Sequence, residues 1–149
     1  MAFGLIFGGN ALAMGLGSWL APRFKVMKQA MVVGCVGMFV FAVAEAGVMW
    51  HEAPFWLYEL CAVPMLLFSG MIFSSANTLS MEVGRDEAGT ASAILSVVKY
   101  AFAAVVSPLV GLGNMFHSTA IAYVAVTSVA LVLAWMARRL PALADMERK

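Results

Sequence analysis

The chain has 149 residues, of which 63% are hydrophobic and only 11% charged, with a formal net charge of +1. Globular domains in water carry about 25% charged residues over their surface, and a mean hydropathy of +0.92 excludes that class here. The basic residues lie beside long apolar runs and form no stripe, which excludes a nucleic-acid footprint.

Five apolar runs are each long enough, at 1.5 Å per residue, to cross a hydrocarbon core of roughly 30 Å. Their continuity, without alternation, excludes barrel strands and predicts an all-α, polytopic membrane helix bundle. The first span, about 2–21, lacks a positively charged leader and a clear cleavage site, so it reads as a span and not a signal peptide. It carries the small-residue pairs Gly4/Gly8, Ala11/Gly15 and Ala13/Gly17, whose spacing lets helix backbones approach closely. Asn10 lies at its middle, where an amide bonds a neighbouring helix or lines a pathway.

The second span, about 31–50, contains Cys35, and the third, about 54–80, contains Cys61. Two thiols in apolar runs read as small apolar side chains and not as a disulfide framework or metal site. Glu45 and Glu59 each sit about five residues from the same-side ends of these spans, placed for an interfacial role or for handling protons. The intervening residues His51 and Glu52, with distant His117, make only a weak metal pattern, and no catalytic motif is present. The expectation is therefore no enzyme activity, no metal and no cofactor.

The fourth span, about 89–113, raises the sharpest question. Lys99 lies about 15 Å into it by helical rise, close to the midplane. Ser92, Ser96, Lys99, Ala103 and Ser107 fall at intervals of 4, 3, 4 and 4 residues, one stripe of small and polar groups. A charge on such a stripe is stable if it faces a wet cavity or the bundle interior, or if its long stem carries it to the headgroups. Ser107-Pro108 removes a backbone donor and predicts a bend. The fifth span, about 119–137, precedes a polar tail, 138–149. Twelve Met and ten Phe supply adaptable filling, or a surface that greets varied apolar ligands.

Eight of the nine Lys and Arg residues lie in the first connection, the third connection and the tail, and none in the second or fourth connection. The positive-inside rule puts the tail in the cytoplasm and the N-terminus outside, in a cell (inner or plasma) membrane. An odd number of spans starting outside suggests that something precedes this sequence.

Three stretches, FGLIFGGNALAMGLGSWLAPRF (3–24), DEAGTASAILSVV (86–98) and VVSPLVGLGN (105–114), occur in an order that resembles the C-terminal half of major facilitator superfamily transporters. The branch they look most like is that of the drug:proton antiporters typified by bicyclomycin and chloramphenicol resistance proteins. The resemblance implies that the five spans correspond to helices eight to twelve of a twelve-helix bundle, a partial C-terminal transmembrane domain covering 1–149. It also implies that Gly17 and Arg23 are what remains of a cytoplasmic gating motif, with Pro22 where an acidic residue is usual. Lys99 stands where an uncharged residue is expected. The implied partners are the lipid bilayer, a missing N-terminal half or another membrane chain, and a small apolar or amphipathic substrate. The expected function is that of a fragment of a proton-coupled efflux antiporter, unable to transport alone. The alternative is a small non-transporting membrane protein that assembles through its Gly/Ala-rich faces.

Overall fold

The computed structural model describes residues 2–111, 114–137 and 139. Among these residues there is no strand, and five helices are long and apolar enough to cross a membrane. They are α1 (Ala2–Leu20), α2 (Met27–Trp50), α3 (Phe55–Val83), α4 (Ala88–Val110) and α5 (Met115–Ala137). One-turn 3-10 segments at Ala21–Arg23 and Arg85–Glu87 bridge α1 to α2 and α3 to α4.

The helices are not confined to the apolar runs. The second begins at Met27, four residues before the expected position, and takes Lys28 into its first turn, where that side chain is buried. The third runs on to Val83, giving it 29 residues, or about 43 Å by helical rise. A polar residue ends an apolar run without ending a helix, because the backbone ladder continues wherever its bonds can be made. Helix ends here are set by backbone stops. Pro54 sits in extended conformation before α3, and Glu52, with φ of 46°, turns the chain out of α2. Both internal prolines, Pro64 and Pro108, are accommodated inside continuous helices.

Helix α3 is the hub. It packs along α1 and along α2, α2 packs in turn along α5, and α4 touches α3 and α5 only thinly. The residues buried at these seams are mostly small, including Ala13, Ala30, Ala42, Ala120 and Ala134, as expected where association relies on close packing and not on water exclusion. The α1–α3 crossing is the tightest. A Cβ added at Gly17 would run into the carbonyl of Leu67, and one added at Gly70 would run into that of Met14. Each glycine thus seats the other helix's backbone, and the Ser18 hydroxyl donates to the Gly70 carbonyl at 3.1 Å across the seam. A compact cluster of Ala21, Ala30 and Met71, flanked by Phe24, Met27, Leu67 and Phe68, closes the bundle at the end holding the first connection.

The outside of this bundle is the reverse of a soluble surface. Leu5, Phe7, Val97, Tyr100 and Ile121 are each more than 60% exposed, and apolar area on that scale calls for lipid or further helices. The four tryptophans are all at helix ends, Trp19 and Trp135 closing α1 and α5, Trp50 and Trp56 flanking the turn between α2 and α3. All four are more than half exposed, the arrangement of an aromatic belt at each bilayer interface. The Arg23 guanidinium lies 3.2 Å from the Trp19 ring and that of Arg139 lies 3.8 Å from the Trp135 ring. Two helices therefore end in the same cation-on-ring anchor.

Candidate functional site

Polar side chains gather in two places, at opposite ends of the bundle. The first is the crevice between α3 and α4. The two helices nearly touch where Gly84 ends α3, so close that an added Cβ would strike the Ala91 side chain. Farther along, contact is made by Lys99, whose Nζ donates to Asn77 Oδ1 at 2.8 Å and lies 4.3 Å from the centre of the Phe73 ring. Lys99 is eleven residues from the start of α4, but Asn77 is only six from the end of α3. The stem therefore inclines toward the end with the 85–87 turn, part of the way a snorkelling lysine would travel. Among the described residues no carboxylate pairs with it.

Between the Lys99–Asn77 contact and the Gly84–Ala91 contact lies a cleft of about 470 Å³, walled by Ala76, Leu79, Leu95 and Val98 among others, with Met31 and Ala137 reaching in from α2 and α5. On the other side of Lys99 the helix is bare: Ser92, Ser96, Ala103 and Ser107 are exposed. Ser96 turns its hydroxyl back to the Ser92 carbonyl at 2.9 Å, a bond that satisfies it without any neighbour. The expected stripe is thus split. Lys99 stands at the boundary between the α3-facing side and an open polar side, and Pro108, nine residues on, is exposed as well.

The second place is the opposite end, among α2, α3 and α5. Glu45 is 5% exposed and its Oε2 is buried without a hydrogen-bond partner. Glu59 on α3, half-buried, and Tyr123 on α5 lie at this same end. Aromatic pairs brace this end, Trp50 against His117 at 4.5 Å and Tyr58 against Phe116 at 6.2 Å between ring centres. His117 belongs to α5 and is spent on Trp50.

The remaining candidates are distributed elsewhere. Asn10 is half-buried on α1, with a buried Oδ1 that has no partner. Gly17 is in the α1–α3 crossing, while Arg23 is exposed against Trp19. The tail 138–149 lies outside the described residues except for Arg139. Asn77, Phe73 and Tyr123 were not singled out by sequence reasoning. Asn77 alone left a usable signal, an amide six residues inside an apolar helix.

The chain is 30% identical over 141 residues, 91% of its length, to YdgK of Bacillus subtilis, an uncharacterised transporter of the major facilitator type. It spans 34% of that relative's length. No model of a known protein family matches the chain, and no solved structure does. In sequence, then, this five-helix membrane bundle is related to a transporter of that superfamily type.

Proposed function

We propose that the chain is part of a secondary active transporter of the major facilitator superfamily, corresponding to its helices eight to twelve, and that the whole carrier exports small amphipathic compounds coupled to protons. The observation that carries this reading is the combination of a sequence likeness across 91% of the chain with a bundle that leaves α4 and its polar side uncovered. In carriers of this kind the substrate lies near the midplane between two helical halves that rock against each other. A wall with its polar side bare is what one half of such a cavity presents. On this reading Asn10, Lys99, Ser92, Ser96 and Ser107 belong to the substrate pathway. Glu45 and Glu59 are the groups placed to handle protons, and Gly17 and Arg23 keep the position of the gate. Alternating access requires both walls, so these five helices do not transport by themselves.

The DNA preceding codon one tests the reading. An open frame encoding about seven further apolar spans, or an adjacent gene that does, is expected. A stop codon in frame, with no such gene beside it, would overturn it. One further observation favours the second reading, a small protein assembling with a membrane partner: Gly4, Gly8 and Gly15 have open space where a Cβ would go, and they share the side of α1 turned away from Gly17. Crosslinking in the native membrane separates the two. A partner supplying the missing spans marks a split carrier, and self-association alone marks the small assembling protein.

A further inference from the structure

We infer that the α3–α4 crevice binds an amphipathic anion, its charged group held by Lys99 and Asn77 and its apolar body lying in the adjoining cleft. This deepens the transporter reading by naming the charge of the substrate, and rests on that reading for its physiological meaning, although the binding itself does not.

The argument starts from an unbalanced charge. Lys99 carries three donors; the structure gives it one acceptor, Asn77 Oδ1, and the face of Phe73, and among the described residues no carboxylate. A cation this deep is stable only with a counter-charge or water. The buried acidic side chain among the described residues, Glu45, is at the other end and cannot serve, and Glu82, Asp86 and Glu87, at the near end, are exposed and do not pair with Lys99. Asn77 supplies the second element. Its oxygen accepts from Lys99, which leaves the amide nitrogen of the same group, with its two donors, without a partner among the described residues. The ammonium N–H and the amide N–H can donate to the two oxygens of one carboxylate, or to two of a phosphate, whereas an organic cation would be repelled by the Lys99 ammonium, which already occupies the Asn77 oxygen and the Phe73 face.

The cleft supplies the third element. Lys99 and Asn77 do not themselves line it, but their chain neighbours Val98 and Ala76 do, as does Leu95 one turn before Lys99, and it continues along Leu79, Ile94 and Ala91 toward Gly84. Its volume of about 470 Å³ suits a small organic ligand, and its walls are almost wholly apolar side chains. The anion group and the apolar body are therefore assigned to neighbouring regions of one crevice.

The test uses the full chain in phosphatidylcholine nanodiscs, with octanoate and octyltrimethylammonium as probes of equal tail and opposite charge. Octanoate is expected to bind saturably and at least tenfold more tightly. The preference should persist in Lys99→Arg, fall to within twofold in Lys99→Gln, and octanoate affinity should fall in Val98→Trp, which fills the cleft and keeps the charge. Equal affinities in the wild-type chain, a measurement independent of any variant's folding, would overturn the inference, as would a preference that survives in Lys99→Gln. Repeating the titration in discs containing phosphatidylglycerol distinguishes the source of the anion. Displacement of octanoate assigns the site to a lipid headgroup, and undiminished binding assigns it to a free carboxylate. Octanoate binding by a chain whose gene lacks further spans would leave the site standing and remove the transport reading.

Discussion

At the scale of single residues, identical chemistry has opposite consequences depending on where the helix is turned. Gly17 and Gly8 are both glycines in α1, but only Gly17 has a backbone against it. Gly17→Leu must push α3 away where Leu67 and Met71 pass it and is expected to destabilise the bundle by about 1–3 kcal/mol. Gly8→Leu should stay within about 0.5 kcal/mol; thermal unfolding of both variants in detergent, followed by size exclusion, checks the contrast. Glu45 is the other informative residue. Its buried oxygen has no partner, an expensive arrangement for an ionised carboxylate in hydrocarbon. Glu45→Gln keeps the shape and removes the titration, so stability should change by less than about 1 kcal/mol. On the proposed reading, the same variant of the complete carrier, reconstituted in liposomes, should lose the dependence of efflux on an imposed proton gradient. Unchanged coupling would strip Glu45 of the proposed role.

Among the helices, the inequality between α4 and the rest is the main feature. None of its described residues is buried, whereas α2 buries Lys28, Ala30, Gly34, Cys35, Ala42 and Glu45, and the contacts of α4 with α3 and α5 are thin. Local opening costs least where few packed contacts must be broken. Amide hydrogens of α4 are therefore expected to exchange at least tenfold faster than those of the buried seam between α2 and α3, read by hydrogen exchange and mass spectrometry in nanodiscs. Equal protection would mean that the bundle closes over α4 in lipid. The sequence stripe at 92–107 identified this helix as special but did not say that Lys99 alone of its members meets α3. Periodicity places residues relative to one another, and Ser92 and Lys99 do share a side, but it does not say which edge of that side meets a neighbour. That was decided by Asn77, one helix away.

For the whole molecule, the alternation of connections with and without Lys or Arg predicts sidedness. Cysteine introduced at Arg85 should be labelled by an impermeant thiol reagent only from the cytoplasmic side, and cysteine at Asn114 only from outside, in a background in which Cys35 and Cys61 are replaced by alanine. Labelling of both from one side would contradict the five-span topology. The two arginine-on-tryptophan anchors close helices at the end rich in basic residues, while tryptophans at both ends mark the two interfaces without distinguishing them.

Composition and run length were enough to establish a five-helix membrane bundle. A bilayer forces every backbone group to be satisfied within its own segment, so a long apolar run has one solution. The fate of each polar side chain was not legible in the same way. Glu45 and Glu59 are fourteen residues apart in sequence and come to the same end of the bundle only because α2 and α3 pack antiparallel after a short turn. Lys99 found an amide 22 residues back, and Gly17 found a carbonyl 50 residues on. Hydrophobicity is a sum along the chain and can be read there, whereas a hydrogen bond or a backbone contact depends on which faces two helices turn to each other, and only the packed bundle fixes that.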